Sequence, residues 1–322
     1  MAPIDLATAL AEVVRQAIGD HRAGIAGLVR LSGGASRETW SFDAVRDDGA
    51  TIPLILRRDP PGAPRGMAIE ARAIAAAAAA AVPVPRVLSS SDDPAVLGSA
   101  FIVMERLEGE TIPRKILRDD AYLKARPVLA EQCGHLLACL HRIDPATVGG
   151  LEEQDQVAQY RDILDGLGQP HPAFELGLRW LEERRPPVTT RAVVHGDFRN
   201  GNLIVGPEGV RAVLDWELVH AGDPMEDLGW LCVKAWRFGN VDLPVGGFGT
   251  YEQLATAYEE ESGRSVDREA LRWWEVLGTL KWGVMCIMQA SAHTSGAVRS
   301  VELAAIGRRV CENEWDLLEL IR

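Results

Sequence analysis

The chain has 322 residues, 47% of them hydrophobic and 25% charged, which is enough to bury a core that divides into two lobes. Its formal net charge of -12 argues against nucleic acid or an anionic membrane as main partner, because either would want a basic face. Its 5 cysteines show no close paired spacing, so they indicate neither a zinc cage nor a disulfide framework and read as buried free thiols in a reducing cytoplasm.

The first stretch, "MAPIDLATALAEVVRQAIGDH", predicts an amphipathic helix, since Asp5 and Glu12 stand where a signal peptide needs a basic start and an apolar run. "GLVRLSGGASRETWSFDAV" then offers a strand, a Gly/Ser turn and a second strand with Trp40 and Phe42 on one face. Asp47, Asp48 and Gly49 close a hairpin into "TIPLILRR", so the three runs form an antiparallel meander. Residues Met67 to Ala81 are rich in alanine, the best helix former, and must stop before the prolines of "VPVPRV". The alanine run is too short to span a bilayer. "SAFIVMERLEGE" reads as an apolar strand breaking at Gly109, and helical periodicity returns from Ala121 to Arg142. After Val205 most of the chain reads as helix, with Trp273, Trp274, Trp282 and Trp315 as core packing.

Between these helical regions lies "HGDFRNGNLIV", from His195 to Val205, a polar loop running straight into a buried strand. Asp215 follows in "VLDWE", past a "GPEG" turn, so a tight hairpin holds the loop beside that carboxylate. Magnesium prefers hard oxygen ligands and keeps several waters, which suits the Asn202 amide oxygen and the Asp215 carboxylate, with phosphates filling other positions. Asp197 would face an acceptor and take a hydroxyl proton. His195 has no Ser or Cys nucleophile placed beside it, so it reads as a residue that packs and orients the loop.

These residues resemble the aminoglycoside phosphotransferase and choline kinase family, which shares the protein-kinase-like fold. The family's His-Gly-Asp, four residues, Asn is matched by His195, Gly196, Asp197 and Asn202, and its metal-binding Asp by Asp215, before Trp216 and Glu217. "GDPMEDLGWL" resembles the segment that follows, with Asp227 in the position that braces the catalytic loop, and "LLACLHRID" resembles the helix that precedes the loop. The resemblance spans Leu31 to Leu231 and implies an α+β, two-lobed fold. Residues 1–108 would be a small antiparallel-sheet lobe that binds nucleotide. Residues 109–322 would be a larger, mainly helical lobe with the catalytic loop and the acceptor site. The implied cofactors are ATP and Mg2+, with Asp197 catalytic and Asn202 and Asp215 on the metal.

On the nucleotide side, the backbone of Ser32, Gly33, Gly34 and Ser36 would cover phosphates, although a two-glycine turn between strands serves equally as a plain hairpin. The family's third strand carries a cation that grips the phosphates and pairs with a helix glutamate, and Arg57 and Glu70 fill those places. Protein kinases use lysine there; an arginine stays charged and binds phosphate in a bidentate way. Strand alternation turns Arg58 away, and a register slip of one residue would exchange the two. The implied hinge is "FIVMERLEG", with backbone groups of Met104, Glu105 and Leu107 reading adenine; its apolar character also fits a core strand.

The expectation is an ATP- and magnesium-dependent phosphotransferase acting on a hydroxyl of a small molecule, either a metabolite or an aminoglycoside-like acceptor. Two alternatives stand beside it: a nucleotide-binding regulatory module without turnover, and a kinase with a protein acceptor. Against the second, only six residues, 216–221, separate Asp215 from "GDPMED", too few for a long activation segment. "LRRDPPG" and "LSGGASRETW" resemble the kinase-like domains fused to acyl-CoA dehydrogenases, which implies a metabolic hydroxyl compound, a hydroxyacyl thioester among them.

Overall fold

The computed structural model describes residues 5–31, 37–60 and 66–322, beginning with the amphipathic helix α1 (Leu6–Ile18), which turns Leu10, Val13 and Val14 inward. The meander follows as β1 (Gly24–Arg30), β2 (Glu38–Val45) and β3 (Thr51–Arg58), each antiparallel to the next. Then come α2 (Ala68–Ala79), β4 (Val87–Ser91), the single turn α3 (Pro94–Leu97) and β5 (Phe101–Glu105), giving a five-stranded antiparallel sheet ordered β1-β2-β3-β5-β4.

The sequence reading passed over β4, whose residues Val-Leu-Ser-Ser-Ser are half-buried and carry little strand signal; pairing with β5 makes it a strand. The strand expected to run to Gly109 stops at Glu105, where pairing with β3 ends.

Side-chain alternation decides what each face meets. Phe101 and Val103 join Phe42, Leu54 and Leu56 under α1, while Ile102 and Met104 turn to the opposite face, against Met67 and Ala71 at the start of α2. By the same parity Arg57 falls on the α2 side and Arg58 on the α1 side. α2 lacks a cap of its own, and Asp92 supplies one: its Oδ1 accepts from the Met67 and Ala68 amides at 2.6 and 3.1 Å.

The rest is mainly helical: α4 (Pro113–Arg118), α5 (Leu129–Leu140), α6 (Pro145–Val148), α7 (Gln156–Leu167) and α8 (Pro172–Glu183). Short strands β6 (Ala192–Val194), β7 (Leu203–Gly206), β8 (Gly209–Val213) and β9 (His220–Gly222) pair as β6 with β9 and β7 with β8. The chain ends through α9 (Met225–Cys232), α10 (Tyr251–Ser262), α11 (Arg268–Thr294), α12 (Val301–Ile306) and α13 (Val310–Ile321). The helix expected from Ala121 starts only at Leu129, after two short 3-10 turns, the second of which contains Pro127. α9 seats closely on α11 at Gly229, where an added Cβ would lie 2.6 Å from Trp274 Cβ.

Of the four tryptophans expected in the core, Trp273 is buried and Trp274 and Trp282 are partly so, but Trp315 is 65% exposed. α13 turns Asn313 and Leu317 inward, and a residue two positions from each lies on the far side of a helix. Among the described residues no helix is long and apolar enough to cross a membrane.

Candidate active site

The loop from His195 to Asn202 joins β6 to β7, and its shape is set from beneath by one buried carboxylate. Asp227, in the first turn of α9 and 0% exposed, accepts from the His195 amide at 2.8 Å and the Gly196 amide at 2.9 Å. His141, at the end of α5, adds a third donor through Nε2 at 3.1 Å, and its Nδ1 meets the Tyr258 hydroxyl at 3.1 Å. Burial pushes the Asp227 pKa up, but His141 and the loop amides outweigh it and hold the carboxyl below its ordinary value. Gly196 has φ +79°, and a Cβ there would stand 2.6 Å from the Leu218 carbonyl, so only glycine lets the chain pass.

The His195 ring is fully buried; Nε2 donates to the Leu214 carbonyl at 2.9 Å and Nδ1 accepts from the Asp197 amide at 3.2 Å. Both nitrogens are thus committed to neighbouring backbone, the arrangement of an orienting residue. Asn200 ties the loop to the Gly246 carbonyl at 2.7 Å.

This scaffold presents the Asp197 carboxylate at the surface of the loop. Its Oδ1 accepts from Trp230 Nε1 at 2.8 Å and Arg199 Nε at 2.9 Å, and its Oδ2 accepts from Asn202 Nδ2 at 2.6 Å. Arg199 lies over the Trp236 ring, 4.5 Å from its centroid. Backbone pairing brings the second carboxylate close: Leu214 N donates to Asn202 O at 2.8 Å and Leu203 pairs with Val213, so Asp215 follows directly.

Asp215 takes the left-handed conformation, φ 67° and ψ 65°, which costs a non-glycine residue roughly 1–3 kcal/mol and is found where geometry is held for use. Its Oδ1 accepts from Arg57 Nη2 at 2.7 Å, and Arg57 Nη1 donates to Glu70 Oε1 at 2.6 Å. Burial lowers the Arg57 pKa, yet Glu70 and Asp215 together keep it above its ordinary value.

The donor set fits magnesium. Asn202 commits its Nδ2 to Asp197, so its amide oxygen is the atom it has to offer a metal, and Asp215 has Oδ2 beside the oxygen engaged by Arg57. Among the described residues no group of three or more His, Cys, Asp or Glu side chains gathers to hold a metal alone. One carboxylate and one amide oxygen, completed by waters and phosphates, is the arrangement Mg2+ tolerates.

The other predicted residues sort as follows. Arg58 binds Glu38, with Nη2 to Oε2 at 2.6 Å, and donates to the Leu97 carbonyl at 3.0 Å, away from Glu70. Met104 lies buried within β5. The amides of Glu105 and Arg106 donate to Arg86 O and Pro53 O, so Leu107 is the first of the three predicted hinge residues beyond this pairing. Ser32, Gly33, Gly34 and Ser36 lie outside the described residues.

Sequence reasoning missed Arg37, which has a 9% exposed side chain. It ion-pairs with Asp59 at 2.8 Å, makes a short bond to Glu70 Oε2 and stands 3.7 Å from Glu217, so two arginines grip Glu70. Trp230 was also missed, although its place three residues after Asp227 puts both on one face of α9. A cleft of about 420 Å3 opens beside Gly196, walled by Arg37, Glu70, Tyr160, Leu218 and Lys281 among others.

Comparison with known proteins agrees with this architecture. Residues 27–274 match the model of the phosphotransferase enzyme family. Acyl-CoA dehydrogenase family member 10 of Mus musculus is 31% identical over 252 residues, 70% of this chain and 22% of that protein. Member 11 of Homo sapiens is 30% identical over 246 residues, 68% of this chain and 31% of that one, so the chain spans less than a third of either relative. Among solved structures, a Ralstonia eutropha JMP134 protein provisionally assigned as an aminoglycoside phosphotransferase superposes with TM-score 0.79 at 22% identity, covering 98% of this chain and 97% of that one. A thermostable mutant of aminoglycoside phosphotransferase APH(4)-Ia, in ternary complex with AMP-PNP and hygromycin B, superposes with TM-score 0.65 at 17% identity, covering 98% of each chain. These matches establish the α+β, protein-kinase-like fold. With the family model spanning well over half of the chain and the His-Gly-Asp loop inside the matched stretch, this protein belongs to the phosphotransferase enzyme family.

Proposed function

We propose that the protein is an ATP- and magnesium-dependent kinase that phosphorylates a hydroxyl of a small molecule. The observation that carries this reading is the Asp197 carboxylate, held by Trp230, Arg199 and Asn202 on a loop joined through one hairpin to the Arg57–Asp215 pair. Asp197 would accept the hydrogen bond of the acceptor hydroxyl, orient its oxygen and take its proton as the new bond to phosphorus forms. Arg57 would grip the phosphates, steadied by Glu70, which Arg37 holds from its other oxygen. Asn202 and Asp215 would hold Mg2+, which neutralises phosphate charge. No covalent intermediate on the protein is needed, because positioning and charge compensation supply most of the catalysis. The AMP-PNP bound to APH(4)-Ia supports nucleotide use by this fold. The unbridged, buried thiols of Cys133, Cys232 and Cys286 support a cytoplasmic setting.

Acceptor-dependent release of ADP from ATP, screened over metabolite alcohols and aminoglycosides, tests the reading. ATP binding without ADP release on any acceptor would replace it with a nucleotide-binding module. Asp215→Ala should raise the magnesium concentration needed for tight ATP binding, since Asp215 is the one charged metal ligand proposed. Calorimetric titrations showing the same magnesium dependence in both proteins would remove Asp215 from the site.

Arg57→Ala should weaken ATP by about tenfold or more while leaving adenosine binding nearly unchanged, because adenosine offers the guanidinium no phosphate. Arg58→Ala should do little, its partners being Glu38 and Leu97. Glu70→Gln should reproduce part of the Arg57 defect, and the double variant should lose less than the sum of the two. Equal losses for ATP and adenosine would point to damage of the sheet lobe instead.

A further inference from the structure

The family match ends at residue 274, yet α11 continues past it and carries a charged side chain to the cleft beside the catalytic loop. Lys281 is 6% exposed and lines that cleft. Among the described residues its ammonium makes one hydrogen bond, a long one of 3.3 Å to Gln156 Oε1, and it lies 4.8 Å from the centroid of the Trp230 ring. Glu226 is its ion-pair partner at 3.9 Å, a charge neighbour that lies beyond hydrogen-bond reach and is already engaged by other donors. Its Oε1 accepts from Gln156 Nε2 at 2.6 Å and its Oε2 meets His220 Nε2 at 2.9 Å. An ammonium has three donors, and burying it with most of them unfilled is costly. The arrangement calls for an oxygen ligand from the cleft.

Position ties this cation to the chemistry. The indole that Lys281 faces is the one whose Nε1 donates to Asp197 at 2.8 Å, so the ammonium stands one ring away from the catalytic carboxylate. The Tyr160 phenol and the Gln159 amide line the same cleft and can add neutral hydrogen bonds. Its acidic walls are committed or peripheral: Glu70 and Glu217 lie with Arg37, and Glu152 is exposed.

We propose that Lys281, oriented by Gln156, is a specificity residue that binds a carboxylate on the acceptor, so that the phosphorylated alcohol is a hydroxy acid. This rests on the kinase reading for the hydroxyl's destination, and it separates the acceptor from polycations and from neutral acyl derivatives, thioesters included.

The test is calorimetric titration of the full chain with short- and medium-chain hydroxy acids, each paired with its primary amide, which keeps the hydroxyl and removes the charge. At least one acid should bind about tenfold or more tightly than its amide, the scale of one charge-assisted hydrogen bond. Lys281→Gln should abolish that preference by weakening the acid, and Lys281→Arg should keep it. The proposal is overturned if no acid outbinds its amide in the wild-type protein, or if Lys281→Gln weakens acid and amide alike. ADP release measured on the same pairs separates the two readings. Lys281-dependent acid binding without ADP release would fail the kinase reading alone, whereas ADP release favouring amides would fail the carboxylate site alone.

Discussion

Asp197→Asn is expected to lower turnover by about a hundredfold or more, the scale of losing a general base, with little change in folding or nucleotide affinity. The substitution keeps the volume of the side chain and removes its charge. Asp197 accepts from three donors, Trp230, Arg199 and Asn202, and an amide can satisfy them with only one oxygen, so the reoriented group also presents the acceptor hydroxyl with a poorer partner. Nucleotide affinity should hold, because Arg57 and Asp215, assigned to phosphate and metal, pair with each other and not with Asp197, and the oxygen of the new amide can still accept from Asn202 Nδ2. Steady-state rates on an acceptor that releases ADP, read beside ATP titrations and thermal melts of both proteins, give the answer. Turnover within a few-fold of wild type would remove Asp197 from its role.

The second large effect is on stability. Asp227→Ala should destabilise the protein by about 3–5 kcal/mol, the cost of breaking a buried charged hydrogen-bonded group by removing one partner. The variant strands three buried donors at once: the amides of His195 and Gly196 and the Nε2 of His141. It also opens a small cavity under the loop from His195 to Asn202. A drop in melting temperature on the order of 10 °C is expected for a chain of this size. Turnover should fall as well, because Gly196 sets where Asp197 begins. Asp227→Asn should fall between, since its amide keeps one acceptor oxygen but turns two further donors toward groups that already donate. A melting temperature within about 2 °C of wild type for Asp227→Ala would show that the loop has other anchors.

The carboxylate in this second prediction was legible as a brace from its segment, "GDPMEDLGWL", but its partners were not. His141 lies 86 residues before Asp227 in the chain, and Arg57 meets Asp215 across 158 residues. No local pattern announces such pairs. The same holds for Lys281, which reads as one charge on a long helix until α7 and α9 bring Gln156 and Trp230 to it.

What the sequence determined by itself is whatever short-range chemistry dictates. The prolines after Val82 end α2, the parity of β3 sends Arg57 and Arg58 to opposite faces, and the spacing from Asp197 to Asn202 builds one loop. These follow from the fixed periods of strand and helix and from the reach of a few residues. The tertiary structure alone decided that Val87–Ser91 is a strand, that Trp315 faces outward and that Glu70 is shared between Arg37 and Arg57. Each of these depends on which distant element supplies the missing hydrogen bonds, apolar surface or counter-charge, and that choice is made by packing of the whole chain.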